Sequence, residues 1–246
     1  MSGVKDRVAI VTGGSRGIGQ AISELFAENG AKVIIWDLLD EGKAVAEKIN
    51  ENGGIAEFVK LSVTDQEGIK AAVEDAVSKY GKIDILINNA GITRDKSMLK
   101  MSDDEWNSVI DVNLNSIYYC CKAVAPVMKE NGYGRIISAS STTGLRGNYG
   151  QVNYAATKAG ILGMTKTLAV ELGRYGITVN AIAPGYTQTP MTDAIPDNIK
   201  ALAKTQIPVG FLAEPMDLAF GYLFLASDEA RFVSGIVLPI DGGVTR

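Results

Sequence analysis

Short β-branched segments alternate with helix-length amphipathic ones along the whole chain. Several of the strands are apolar at consecutive positions, and a glycine-rich turn follows the first of them. Together these observations predict an α/β fold: a single-domain, doubly wound parallel sheet of about seven strands with helices on both faces. Continuous apolar runs mark strands covered on both sides. Parallel neighbours need right-handed crossovers, and a helix supplies each one.

Residues 8–12 (Val-Ala-Ile-Val-Thr) form the first strand. Residues 18–29 form a helix, with Ile18, Ile22, Leu25 and Phe26 at helical spacing and a stop before Gly30. Residues 32–36 are the second strand, and the helix at 41–52 ends at Gly53-Gly54. A third strand at 57–61 precedes a helix at 65–80, closed by Gly81, and a fourth strand lies at 83–87. Residues 103–129 read as one long helix opening at a Ser102 cap. A fifth strand at 135–139, a long helix at 151–174, a sixth strand at 177–182, a helix at 216–226 and a last strand at 236–240 complete the pattern. Residues 185–214 show no clear period, and an irregular stretch of that length in a compact domain predicts a substrate lid. No composition break or repeat divides residues 1–246 into two domains.

Composition narrows the chemistry. With 24 Lys and Arg against 28 Asp and Glu, the net charge is −4, which argues against a nucleic-acid partner. The absence of His excludes Ser-His-Asp and Cys-His nucleophile schemes and any His-ligated metal. The two cysteines, Cys120 and Cys121, are adjacent and make neither a zinc site nor a disulfide framework, so no metal is expected. The apolar run at 8–11 is too short for a signal segment and no run spans a membrane, so the chain reads as cytoplasmic. Proton transfer must fall to Tyr, Lys, Ser, Asp or Glu.

Gly13-Gly14-Ser15-Arg16-Gly17-Ile18-Gly19 follows the first strand. Glycines let a backbone approach a pyrophosphate closely, and the helix behind them points free N–H groups at the anion. Asp37 lies eighteen residues past Gly19, at the end of the second strand. A carboxylate there accepts from the adenosine ribose hydroxyls and repels a 2′-phosphate, by about 4 kcal/mol at ~4 Å and an effective dielectric of ~20. That favours NAD(H) over NADP(H). Arg16 points the other way, as a candidate 2′-phosphate ligand.

Tyr154 and Lys158 stand at i and i+4 on one helix face. An ammonium beside a phenol favours the phenolate, and the spacing predicts a Tyr154 pKa lowered by roughly two to three units toward physiological pH. In a chain without His this pair is the natural general acid/base.

The glycine loop, Asn88-Asn89-Ala90-Gly91 after the fourth strand, Asn113, Ser141, Tyr154, Lys158 and Pro184-Gly185 after the sixth occur together and in this order. In this the chain resembles the short-chain dehydrogenase/reductases over essentially its whole length, to Asp241-Gly242-Gly243. The resemblance implies a Rossmann fold and hydride transfer between a nicotinamide cofactor and a ketone or secondary alcohol. It implies that Tyr154 exchanges the proton and that Ser141, thirteen residues upstream, hydrogen-bonds the same oxygen. Lys158 would lower the Tyr154 pKa and bind the nicotinamide ribose, and Asn113 would hold a water linking Lys158 to solvent. Gly13, Ser15, Arg16, Gly17, Ile18, Gly19 and Asp37 would hold the adenosine diphosphate. Ser62, Val63, Asn89, Ala90 and Gly91 would line the adenosine side, Ser62 standing where the family often has Asp or Asn. Pro184, Gly185, Thr187 and Thr189 would border the nicotinamide. The resemblance also implies a homotetramer.

For the substrate, Ile92-Thr93-Arg94-Asp95, Asp104-Glu105-Trp106 and Gly150-Gln151-Val152-Asn153-Tyr154 resemble 3-oxoacyl-[acyl-carrier-protein] reductases most closely. That implies a 3-oxoacyl thioester, with Ser141, Gln151, Tyr154, Tyr186 and Met191 as substrate contacts. It also implies an acyl carrier protein as possible partner, for which Lys129, Arg135 and Arg174 are the candidate basic contacts. Alternatives are an NAD-linked secondary-alcohol, hydroxysteroid or sugar-alcohol dehydrogenase, with Tyr186, Met191, Ile195, Ile199 and Leu202 as an apolar lid, or a non-catalytic nucleotide-binding regulator.

Overall fold

The computed structural model describes residues 3–193 and 197–245, with side chains described except at 191, 193 and 197–200. Seven parallel strands form one sheet in the order β3-β2-β1-β4-β5-β6-β7. They are β1 (Val8–Thr12), β2 (Lys32–Asp37), β3 (Ile55–Lys60), β4 (Ile85–Asn88), β5 (Gly134–Ala139), β6 (Ile177–Pro184) and β7 (Val237–Ile240). The order reverses between β1 and β4, which opens a crevice at the carboxyl edge of the sheet.

Alternate residues of each strand feed two separate cores. Ala9, Val11, Val33 and Ile35 pack against helices α1 (Gly17–Glu28), α2 (Glu41–Glu51) and α10 (Pro215–Ala226). Val8, Ile10, Ile34 and Trp36 pack against α3 (Gln66–Tyr80), α5 (Ser116–Asn131) and α7 (Val152–Leu172). Period-two alternation between two oily faces is why the strands read as continuous apolar runs. Cys120 and Cys121 belong to the second core, where burial pushes both thiols up, Cys121 to about 12. They are packing residues.

Several expected elements differ in detail. The long helix at 103–129 is two: α4 (Asp103–Ile110) and α5, joined by a π-helical turn, Asp111–Asn115, that carries Asn113. Its expected opening is present, since Ser102 accepts from Glu105 N and Glu105 Oε2 accepts from Ser102 N. A short helix α6 (Thr142–Arg146) starts at Ser141. The stretch at 185–214 contains helices α8 (Pro190–Asp193) and α9 (Asp197–Gln206). In α9, Ala203 is buried, as is Ile207 just beyond it, while Leu202 is 56% exposed, so Leu202 is no part of an inward-facing lid. Ile195 lies outside the described residues, and so do the side chains of Met191 and Ile199. Among the described residues no helix is long and apolar enough to cross a membrane, and no group of His, Cys, Asp and Glu could hold a metal ion.

Candidate active site

Thr12 ends β1 at the crevice. Its Oγ1 donates to Ile87 O at 3.2 Å and accepts from the backbone N of Asn89 at 3.0 Å and of Ala90 at 3.1 Å. Asn89 Nδ2 returns two bonds, to Thr12 O and Gly13 O, both 3.1 Å. These bonds lock the glycine loop to the segment after β4, a duty of Thr12 that the sequence reading missed. A Cβ on Gly19 would lie 2.0 Å from Gly13 O, so only glycine permits this turn. α1 then begins with no side-chain cap and no acid in its first turn. Its leading N–H groups and positive dipole end face the crevice, as an anion site requires. Ile18 packs on the core beneath. Thr189 reaches the loop from the other side, its Cγ2 lying 3.4 Å from where a Cβ on Gly17 would be.

Asp37 ends β2, and its carboxylate is held from two directions: Oδ2 accepts from Ser15 N and Oδ1 from Leu39 N, both 3.1 Å. Ser15 Oγ donates to Leu39 O at 3.3 Å. Arg16 is exposed beside them. Ser62 pairs its hydroxyl with Thr64 Oγ1 at 2.8 Å, and Val63 is core, 8% exposed. Pro184 ends β6, Gly185 N bonds Ile240 O, and Thr187 bridges to Ala213, closing the base of the 185–214 stretch.

The three serines at the end of β5 separate cleanly. Ser138 Oγ accepts from Asn88 Nδ2 at 3.2 Å, and Ser140 Oγ donates to Lys158 O at 2.8 Å; both are buried. Ser141 stands beside the Tyr154 phenol and acts to lower its pKa. Its Oγ also accepts from Thr143 N at 3.1 Å, which leaves the Ser141 hydroxyl hydrogen free to donate. Lys158 Nζ lies 5.4 Å from the centre of the Tyr154 ring and donates to Ala139 O at 2.5 Å. Gly91 brings the remaining member close: a Cβ there would lie 3.3 Å from Asn113 Oδ1 and 3.8 Å from Lys158 Nζ.

One expectation needs correction. Burial, not the lysine, dominates the phenol: it pushes the Tyr154 pKa up to about 12, a hydrogen bond from Ser141 pulling it back and the charge of Asp95 adding to the rise. Burial also pushes Lys158 down to about 8. In both groups desolvation is the leading cause of the shift. The Asn113 amide accepts from Ile92 N at 2.8 Å and donates to Ile92 O at 2.9 Å, so its side chain clamps the loop after β4.

That loop frames the mouth of the site. Gln151, expected to touch substrate, donates through Nε2 to Asp95 Oδ2 at 2.8 Å. Asn153 Nδ2 donates to the carbonyls of Arg94 and Glu105, both 3.0 Å. Asp95 and Asn153 stand in the two motifs that carry the resemblance, but the bonds that tie those motifs together were not legible locally, because each partner lies far along the chain. Tyr186 is half-buried after β6. Of the candidate carrier contacts, Arg135 is buried and bonds Gly134 O and Asp228. Lys129 and Arg174 flank the Tyr175 ring, at the amino edge of the sheet, opposite Tyr154.

A glycine turn that tolerates no side chain, an uncapped helix end and a ribose-side carboxylate suit a dinucleotide, and a Ser-Tyr-Lys group with a buried lysine stands where its reactive end would lie. Residues 13–245 match the family model described as enoyl-(acyl carrier protein) reductase. The chain belongs to the short-chain dehydrogenase/reductase family. As a member of that family it is a nicotinamide-dependent oxidoreductase acting on a ketone or secondary alcohol. It is 46% identical over 241 residues to the 3-oxoacyl-[acyl-carrier-protein] reductase FabG of Chlamydia muridarum, covering 97% of each chain. It is 45% identical to the FabG of Thermotoga maritima, covering 98% of each. Among solved structures, a putative NAD(P) dependent gluconate 5-dehydrogenase from Beutenbergia cavernae, with NADP bound at low occupancy, superposes with a TM-score of 0.95 at 37% identity, covering 99% of this chain and 98% of that one.

Proposed function

We propose that this dehydrogenase/reductase reduces 3-oxoacyl thioesters to 3-hydroxyacyl thioesters, with NADH as the preferred cofactor. The observation that carries the direction is the half-buried Tyr154 phenol, whose desolvation pushes its pKa up to about 12 and keeps it protonated at neutral pH. A phenol in that state is ready to give a proton, which reduction requires. When bound, the dinucleotide supplies the hydride. Tyr154 delivers its proton to the carbonyl oxygen, and Ser141 donates a hydrogen bond to that oxygen as charge develops. Lys158, still largely an ammonium at pH 7, stabilises the tyrosinate left behind. Its two N–H groups not aimed at Ala139 are available to the ribose and to proton return. Identity of about 45% to two FabG reductases over nearly the full length supports the thioester reading.

The cofactor reading rests on Asp37, whose carboxylate is anchored by two backbone N–H groups and does not swing aside for a 2′-phosphate. An acyl carrier protein is the proposed thioester donor and the cytoplasm the proposed compartment. A homotetramer is the proposed assembly, supported by exposed apolar side chains such as Val170 and Phe232, and a mass of four chains in light scattering is the expected reading.

The test is oxidation of NADH and of NADPH with acetoacetyl thioester, beside cyclic ketones and sugar ketones. Preferential thioester turnover with NADH is expected, and Asp37→Ser shifts the NADPH:NADH ratio of kcat/KM upward by about tenfold or more. An unchanged ratio removes Asp37 from cofactor selection. Preference for sugar ketones favours the sugar dehydrogenase reading suggested by the structural relative.

A further inference from the structure

One buried side chain ties three segments together next to the reacting phenol. Asn153, fully buried in the first turn of α7, uses both ends of its amide. Its Nδ2 donates to Arg94 O, in the loop between β4 and α4, and to Glu105 O, in the first turn of α4, both at 3.0 Å. Its Oδ1 accepts from the backbone N of Tyr154 at 2.7 Å. The loop between β4 and α4 starts beside the catalytic lysine, since a Cβ on Gly91 would lie 3.8 Å from Lys158 Nζ. It reaches the amino end of α7 at Lys96, whose N donates to Gly150 O at 2.8 Å. Between those two points Asn153 fixes it at Arg94, and Gln151 Nε2 fixes it at Asp95 Oδ2, 2.8 Å away. The loop is therefore a wall along the part of α7 that carries Tyr154 and Lys158.

An asparagine supplies two N–H donors and an acceptor at this reach. An aspartate would set a charge against two carbonyls, and an alanine would leave them unpaired in the interior. The spacing between wall and phenol thus depends on this one amide. That spacing matters because Tyr154 and Ser141 hold only the oxygen of a ketone. A half turn about the C=O bond exchanges the two arms of the ketone and presents its opposite face to hydride, with the oxygen still in place. Whatever opposes that turn must stand beside the phenol at a fixed distance from it.

We propose that Asn153 is a positioning residue for stereoselectivity. By holding the wall at a set spacing from Tyr154 it admits the ketone in one of its two orientations, so that one enantiomer of the hydroxy product dominates. The inference rests on the reading of Tyr154 as proton donor to a 3-oxoacyl ketone and deepens it. An enantiomeric ratio compares two competing transition states on the same folded enzyme. Partial unfolding removes active molecules but leaves that ratio unchanged, so the ratio separates positioning from mere support of the fold. A tenfold change in it is about 1.4 kcal/mol, the scale of one hydrogen bond.

The test reduces an acetoacetyl thioester with NADH and resolves the two 3-hydroxybutyryl enantiomers by chiral chromatography, using the wild type, Asn153→Ala and Asn180→Ala. Asn180 of β6 is the control. It is equally buried and also clamps two backbone groups, Val233 O at 2.8 Å and Ile236 N at 3.2 Å, toward the amino edge of the sheet. The wild type should give one enantiomer by about 20:1 or more. Asn153→Ala should lower that ratio about tenfold, while Asn180→Ala, though it also costs stability, should leave it within about twofold. A racemic wild-type product, or an Asn153→Ala ratio within about twofold of the wild type, overturns the inference. Should Asn153→Ala fail to fold, Asp95→Ala decides, because it releases the same wall from an exposed position. A ratio lowered about threefold then supports the inference, and an unchanged ratio overturns it. A wild type that reduces other ketones but no 3-oxo thioester overturns the thioester reading alone, and the same comparison is then read on those ketones.

Discussion

Lys158 loses its proton near pH 8 in the folded chain, where burial strips its solvation, against 10.5 for the ordinary side chain. Between those values the unfolded chain binds more protons, so stability rises with pH across that window, and the full cost of the buried ammonium is present below it. Lys158→Met should therefore stabilise the fold at pH 7 by about 1–3 kcal/mol, seen as a Tm gain of roughly 2–4 °C per kcal/mol, while abolishing turnover. The gain should fade as pH climbs from about 8 to 10.5. A destabilised variant at pH 7 would mean that its bond to Ala139 O outweighs the burial cost. The same desolvation explains why spacing misjudged Tyr154. The i, i+4 pattern reports that two side chains share a helix face, but the pKa depends on how far the rest of the chain shuts out water, and no local motif encodes that.

At the scale of elements, α7 carries Tyr154 and Lys158, and α6 presses on it at one glycine. A Cβ on Gly144 would lie 2.6 Å from the Lys158 carbonyl carbon and 2.8 Å from its Cβ. Gly144→Ala must push α6 and α7 apart at the catalytic lysine, with an expected loss of about 10–100-fold in kcat and about 1–3 kcal/mol in stability. Gly163→Ala, on the same helix with nothing within 4 Å of its Cβ, should gain about 0.5–1 kcal/mol. Equal effects of the two substitutions on kcat would refute the packing argument. Helices and strands of this kind were legible because their apolar periodicity is local. The π turn at Asn113 was not, since the apolar pattern runs through it unbroken and the turn is fixed by the Asn113 clamp on Ile92, twenty-one residues away. The pairing of Asp95 with Gln151 was hidden for the same reason, the two lying fifty-six residues apart.

Across the whole molecule, the reversal of strand order between β1 and β4 sets the glycine loop, the Asp37 carboxylate and the Ser141-Tyr154-Lys158 group along one edge of the sheet. The alternation of elements made that edge foreseeable, and the Thr12–Asn89 bonds that close the crevice add what only the folded chain reveals. Binding and chemistry should therefore separate. Trp36, buried in β2 next to Asp37, together with Trp106 gives a binding signal by energy transfer to NADH, independent of turnover. The decisive measurement is Tyr154→Phe followed by both readouts. The expected result is NADH binding within about twofold of wild type and a fall in acetoacetyl thioester reduction of at least about 100-fold. Reduction within tenfold of wild type, with the cofactor still bound, would contradict Tyr154 as the proton donor.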